Sequence, residues 1–206
     1  GGGVAVVFLA LAALLAGIAC GLLGGDLPAV DALLASSDLV LNLLMVSVGV
    51  SIGLQRGIAR KIAQYNLRAL VIPLGVTIGS VAGGVVCSLV TGYPLAESAS
   101  IAGCMGWYSL GGVTIGALSG GMYGGVAFLS NLMREMLSFF CIPLLARHLS
   151  PAACIAAAGA TSEDTTLPMM MKYTSEEDVV LSVLNGAICS AFVPVLIPLC
   201  YQLFGA

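Results

Sequence analysis

The sequence predicts an all-α integral membrane protein with about five transmembrane helices and two re-entrant helical hairpins, arranged as an inverted repeat. The first observation behind this is composition: 59% of the 206 residues are apolar and 8% are charged, about a third of the charged fraction of a soluble domain. The second is that apolar runs recur that are long enough to cross a hydrocarbon core about 30 Å thick. The third is that glycine-rich polar stretches interrupt two further apolar runs. A water-soluble fold is therefore excluded.

The predicted spans, in order, are Val4–Leu23, Leu39–Leu54, Ala69–Val90, Met122–Leu145 and Val179–Phe204. The first run is too long and too often interrupted by glycine for a signal peptide, and it has no basic flank, so we interpret it as a span. We expect one membrane domain over residues 1–206. It would comprise three N-terminal spans (1–97), a hairpin with a span (98–147) and a second hairpin with a span (150–204).

The distribution of basic residues predicts the orientation. Four of the seven Lys and Arg residues lie in Gln55–Arg68, and short basic loops stay in the cytoplasm. The loops Gly24–Asp38 and Thr91–Glu97 carry only acidic charges and are predicted to be exterior. The N-terminus is then cytoplasmic and the C-terminus exterior.

The hairpins follow from that orientation. Ser98–Gly121 begins outside, while Arg147 and His148, at the end of the next span, favour the cytoplasm. Ser98–Gly121 must then return to the side where it started, with an unwound turn in its glycine-rich middle, Gly106–Gly112. Pro151–Tyr173 has the same character and would enter from inside. The alternative is that both segments are full crossings and that Arg147 lies outside.

An internal repeat supports the hairpins. Ser98–Leu145 and Ala152–Leu199 look like two copies of a hairpin followed by a span, in opposite orientations. The matching positions are Gly106-x-x-Ser109 with Gly159-x-x-Ser162, and Asn131 before Ile142-Pro143-Leu144 with Asn185 before Ile197-Pro198-Leu199. Inverted repeats of this kind place broken helices at a binding site near the membrane midplane.

Polar stripes at helical spacing mark candidate site residues. Asn131, Arg134, Glu135 and Ser138 share one helix face, as do Ser182, Asn185, Gly186 and Cys189. An ionisable residue at bilayer depth costs about 2.5–3.5 kcal/mol or more, so it usually lines an ion or substrate path. Side chains of adjacent helical residues diverge, so Arg134 and Glu135 are each predicted to have another partner. These features indicate a transporter.

The second hairpin adds an acid and several hydroxyls. Pro168 cannot continue a helix, so the preceding stretch is predicted to be unwound, with Asp164 and the hydroxyls of Thr161, Ser162, Thr165 and Thr166 as ligands. The N-termini of half-helices suit a carboxylate, and Asp164 suits an ammonium or a proton. Trp107 and Tyr108 either stack on a substrate or pack at the tip of the first hairpin.

Other chemistries are not favoured. None of the seven cysteines lies within four residues of another, so neither a metal site nor a redox pair is expected, and we expect no cofactor. One aspartate at depth, and one histidine at the end of a span, do not make a protease or hydrolase site. We therefore expect no enzyme and no nucleic-acid partner.

Three motifs together resemble the LysO-type lysine exporter family of bacteria, over about residues 39–198. They are Gly106-Trp107-Tyr108-Ser109-Leu110, Asn131-x-x-Arg134-Glu135 ending in Ile142-Pro143, and Gly159-Ala160-Thr161-Ser162-x-Asp164-x-Thr166-Leu167-Pro168, with Val48-Gly49-Val50 and Gln55-Arg56 also fitting. The resemblance implies export of L-lysine and its toxic analogues across the bacterial inner membrane. The C-terminus, predicted to be exterior from the charge distribution, would then be periplasmic. Single-chain members carry further N-terminal spans, so it also implies a small N-terminal-half subunit or a homo-oligomer.

Charge suggests the mechanism. Lysine leaves as a cation against an interior-negative potential, at about 2.3 kcal/mol per 100 mV. Exchange of an inward proton for an outward lysine removes this cost, and it needs an acid that binds either cation. Asp164 or Glu135 is predicted to be that acid, with Arg134 or hairpin N–H groups on the substrate carboxylate. The other side chains predicted to line the substrate site are those of Asn131, Asn185, Ser109, Tyr108 and Trp107, together with the hydroxyls of the second hairpin. The alternative is an antiporter coupled to H⁺ or Na⁺ for another small solute.

Overall fold

A computed structural model describes residues 2–22 and 68–205, together with the single positions 39, 43, 46 and 50. The predicted span Leu39–Leu54 (apart from its four helical positions) and the basic loop up to residue 67 lie outside the described residues. Every regular element in the described part is helical. The α-helices are α1 (Gly2–Leu22), α2 (Arg68–Thr91), α3 (Leu95–Gly103), α4 (Tyr108–Ser119), α5 (Gly121–His148), α6 (Pro151–Ala158), α7 (Leu167–Tyr173) and α8 (Glu176–Phe204), with a 3₁₀ turn at Gly159–Glu163.

Three of the described helices are long and apolar enough to cross a membrane: α2, α5 and α8. They coincide with three of the predicted spans, and α1 covers nearly all of the predicted span Val4–Leu23. Prolines lie inside all three long helices, for example Pro143 in α5. Membrane helices tolerate such prolines because neighbouring helices and hydroxyls satisfy the freed backbone groups.

The short helices form two segments: segment I (α3 and α4, residues 95–119) and segment II (α6, the 3₁₀ turn and α7, residues 151–173). At 1.5 Å per residue, each short helix is about 10–18 Å long. None of them can cross a 30 Å core alone. They resemble arms of half-membrane length.

Both outer ends of segment I lie at the C-terminus of α8. Ala96, at the start of α3, packs against Gly205, and the Tyr201 hydroxyl donates to the Leu118 carbonyl, at the end of α4, over 3.4 Å. The rings of Tyr93, before α3, and Tyr123, after α4, are in edge contact with centroids 6.1 Å apart. The chain therefore enters and leaves segment I at the same end of the helix bundle.

Both outer ends of segment II lie at the opposite end of the bundle. Near the start of α6, the Cys154 thiol donates to the Ile142 carbonyl, in the last third of α5, over 3.5 Å. Met170 of α7 is fully buried in the same apolar cluster as Ile142, Cys154 and Ile155, with Val179 from the start of α8 packed against it.

The inner tips of the two segments meet between the long helices. The Ala160 N–H donates to the Met105 carbonyl over 2.9 Å, which joins the two tips by a backbone hydrogen bond. Gly106 (φ 100°) and Gly159 (φ 65°) turn the chain with positive φ, and Met105 (φ 51°) does so without being a glycine. This left-handed region is uncommon for residues other than glycine, asparagine and aspartate.

Two boundaries differ from the predictions. The unwound part of segment I covers only residues 104–107, because α4 already begins at Tyr108 and includes most of Gly106–Gly112. Gly111 is helical and is required for space, since a Cβ there would overlap the Cys104 side chain. In segment II, α6 and the 3₁₀ turn both end before Pro168. Pro168 lies in the first turn of α7, where its missing N–H costs no hydrogen bond.

Candidate functional site

Glu135 is the most unusual side chain of the described part. It lies near the middle of α5 and is 0% exposed, and neither carboxyl oxygen has a hydrogen-bond partner among the described residues. The Thr165 hydroxyl and the Asp164 carboxylate lie close enough to act on the charge of Glu135, but that hydroxyl is directed to Asp164 Oδ1 at 3.3 Å. A buried carboxylate without partners is costly, so this group needs a proton or a cation to neutralise it.

Arg134, the neighbour of Glu135, points to a different surface. Its guanidinium donates to the Ser80 hydroxyl on α2 (3.0 Å) and to the Ala156 carbonyl on α6 (3.4 Å). Both partners are neutral, and the contacts of the described residues include no ion pair for Arg134. Arg134 and Glu135 thus do not neutralise each other. The sequence predicted another partner for each residue: Arg134 has two neutral ones, whereas Glu135 has no hydrogen-bond partner in the described part of the chain.

Two asparagines at corresponding positions of the long helices hold the two tips. Asn131 of α5 accepts from the Gly106 N–H (2.9 Å) and donates to the Ile101 carbonyl (3.0 Å). Asn185 of α8 donates to the Gly159 carbonyl (2.9 Å) and to the Ser162 hydroxyl (3.0 Å). Both side chains are almost fully buried. These predicted site residues therefore position the tips and do not present free groups to a cavity.

Most hydroxyls of segment II bind the backbone. Ser162 donates to the Ser182 carbonyl (2.8 Å), and Ser182 donates in return to the Ser162 carbonyl (2.7 Å). Thr161 donates to the Ala158 carbonyl and Thr166 to the Thr161 carbonyl, both over 2.9 Å. These groups give the 3₁₀ turn its shape. Each hydroxyl oxygen keeps lone pairs, but its proton is already donated.

Asp164 follows the 3₁₀ turn and is exposed. Its Oδ1 accepts from the Thr165 N–H, so the carboxylate is held by local bonds and stays accessible. Asp164 and Glu135 are the acids that the structure brings together, one accessible and one buried.

Glu163 ends the 3₁₀ turn and has defined contacts with α8. Its Oε1 accepts from the Ser190 hydroxyl of α8 over 2.8 Å. Gly186 lies against its backbone and side chain, where any Cβ would overlap. Gly186 belongs to the polar stripe of the last span, whereas Ser190 was not singled out. Its position one turn beyond Gly186 was the available signal.

The tip residues of segment I are placed differently. Tyr108 is buried and packs edge-to-face on Phe128 with ring centroids 5.2 Å apart, which favours the packing role over substrate stacking. Trp107 is partly buried against the central apolar cluster. Ser109 is half-buried in the first turn of α4.

Membrane-length helices around two broken segments, with a buried carboxylate and a guanidinium beside their tips, define a polytopic membrane protein with a polar site at mid-helix depth. The chain belongs to the family described as "Lysine exporter LysO", whose model matches residues 11–201. It is 32% identical over 132 residues to "Lysine exporter LysO" of Escherichia coli, a match that covers 64% of this chain and 44% of that protein.

The chain is also 33% identical over 132 residues to "Putative lysine exporter" of Haemophilus influenzae, covering 64% of this chain and 67% of that protein. The match to the Escherichia coli relative thus spans less than half of its length. No solved structure matches the chain.

Proposed function

We propose that this chain forms the transport core of a secondary active exporter of L-lysine and lysine analogues in the bacterial inner membrane. Glu135 carries the proposal, because a fully buried carboxylate without hydrogen bonds persists only where its neutralising cation has a function. The names of the two relatives support lysine as the substrate. The remaining spans of the transporter would come from further chain, a small subunit or a second copy.

The proposed coupling is proton antiport. Glu135 binds a proton in one half of the cycle and the ammonium group of lysine in the other, with Asp164 as the accessible acid that passes the cation to it. Inward H⁺ and outward Lys⁺ then carry no net charge across the membrane, so the potential does not oppose export. Sodium as the coupling ion would satisfy the same carboxylates.

A proteoliposome assay tests the proposal. The purified chain, alone and with its neighbouring small membrane protein, is expected to move lysine when a pH gradient is imposed, and added lysine is expected to dissipate that gradient. Glutamine serves as the solute control because its side chain ends in a neutral amide and not in an ammonium group. Lysine movement driven only by a sodium gradient would show that Na⁺, and not H⁺, is the coupling ion. If another solute dissipates the pH gradient and lysine does not, the lysine assignment is wrong.

We further propose that segments I and II are re-entrant hairpins in an inverted repeat. The common location of both ends of each segment and the short arms support this. Each tip also has a glycine that is hydrogen-bonded to an asparagine of a long helix: the Gly106 N–H donates to Asn131, and Asn185 donates to the Gly159 carbonyl. In the predicted orientation, segment I opens to the exterior and segment II to the cytoplasm.

Cysteine accessibility tests this topology. In a variant without Cys20, Cys87 and Cys141, cysteines introduced one at a time at the exposed positions Thr91 and Gly120 are expected to react with a membrane-impermeant reagent from one side. Cysteines at the exposed positions Ser150 and Glu176 should react from the other side only. Full crossings would instead put Thr91 and Gly120 on opposite sides.

A further inference from the structure

A cavity of about 290 Å³ opens between α2, α3 and α5, at the end of the bundle where Tyr93 and Tyr123 lie. Its wall is mainly apolar and includes Gly83, Ile101 and Val126, with few polar groups. It descends from Glu97 in the first turn of α3 to Arg134 on α5. Pockets of this type, apolar with a few placed polar groups, are typical of small-molecule sites.

The two ends of the cavity carry opposite charges. Arg134, at the inner end, hydrogen-bonds only neutral groups, Ser80 and Ala156, so its positive charge has no carboxylate partner in the described part of the chain. Glu97, at the outer end, is half-buried. A guanidinium binds a carboxylate through two parallel hydrogen bonds where the geometry allows. The cavity thus suits a ligand with a carboxylate at one end and a cation at the other.

The spacing of Glu97 and Arg134 along the helices is compatible with the length of lysine. Glu97 lies one helical turn above Ile101, whose carbonyl is 3.0 Å from Asn131 Nδ2, and Arg134 lies almost one turn below Asn131. Glu97 and Arg134 are therefore about 10 Å apart along the helices at 1.5 Å per residue. An extended lysine spans about 7.5 Å from carboxylate carbon to ammonium nitrogen over six bonds of about 1.5 Å, before contacts are added at each end.

We propose that this cavity is the exit-side lysine site, in which Arg134 binds the carboxylate and Glu97 binds the side-chain ammonium. The inference rests on the proposed lysine export and adds Glu97 as a specificity residue. A neutral amino acid of the same shape would leave Glu97 without its partner, so the site discriminates by the charge at the end of the side chain and not by volume.

Cys87 provides a native reporter, because it is exposed and lines the same cavity. In the full chain with Cys20 and Cys141 replaced by alanine, the rate at which a membrane-impermeant thiosulfonate modifies Cys87 is measured from the Tyr93 side. Lysine and 6-aminohexanoate, which keep both charged ends, are expected to slow modification. Norleucine, which lacks the side-chain ammonium, should not. A Cys87→Ala variant gives the background.

Glu97→Gln is expected to raise the lysine concentration for half-protection about tenfold, or about 1.4 kcal/mol. Glu177→Gln, at the opposite end of the bundle, serves as the matched control and should leave it unchanged. Equal protection by norleucine, or protection that Glu97→Gln leaves intact, would overturn the site. Lysine transport without Cys87 protection would overturn the site alone, whereas protection without any lysine transport would support the site and contradict the exporter proposal.

Discussion

Glu135→Gln is expected to reduce proton-coupled lysine movement to the level of protein-free liposomes. The amide has nearly the shape of the carboxyl group but cannot exchange a proton or balance an ammonium, so the antiport cycle loses its shared site. The fold should persist, because the substitution removes a potential buried charge that has no hydrogen bonds in the described structure. The measurement is lysine-dependent dissipation of an imposed pH gradient, with thermal unfolding in detergent as the check on folding.

Glu177→Gln is the control, since Glu177 is exposed in the first turn of α8. Asp164→Asn completes the set. If Glu135→Gln transports normally and Asp164→Asn does not, the shared acid is Asp164. If both variants keep full proton-coupled lysine movement, the proposed coupling mechanism is wrong.

Gly159→Ala is expected to destabilise the protein by about 2–5 kcal/mol and to abolish transport. Gly159 has φ 65°, which costs an L-residue about 1–2 kcal/mol. A Cβ there would also overlap the Met105 carbonyl and approach Arg134 Nη2 to 3.0 Å, and such overpacking typically costs a further 1–3 kcal/mol. The substitution therefore disturbs both the contact between the two tips and the position of the Arg134 guanidinium beside it.

Thermal unfolding of the purified variant measures the first effect and lysine flux the second. Gly125→Ala in α5 is the matched control, because a Cβ at Gly125 meets nothing within 4 Å and alanine favours a helix by about 0.5–1 kcal/mol. If Gly159→Ala behaves like Gly125→Ala, the two tips do not depend on their close approach.

The sequence predicted those features that depend on residue types within a single segment of the chain. Glycines at 106 and 159 mark the turns, and charges inside apolar runs mark Arg134 and Glu135. Asn131 and Asn185 marked the two helices whose side chains bind the tips. These signals are local because a broken helix needs residues that permit the break and a buried charge contrasts with its apolar neighbours.

Contacts between distant segments could not be predicted in this way. The hydrogen bond from Ala160 to Met105 joins main-chain atoms, so no side-chain type in the sequence predicts it. Met105 also adopts a positive φ without being a glycine. Ser80 as the partner of Arg134 depends on how α2 is placed against α5. The hydroxyls of segment II likewise looked like ligands, because their backbone partners, such as the Ser182 carbonyl, become neighbours only after folding.

The packing of α3 on α8 has a consequence for biogenesis. In segment I, the first arm packs on the last helix of the chain, and the Ser100 hydroxyl donates to the Ile197 carbonyl over 3.2 Å. Ser100 and its neighbour Ala99 are fully buried, so this arm lacks its covering surface until α8 has been synthesised. If the helices insert in chain order, we expect segment I to reach its final packing only after α8 has been made.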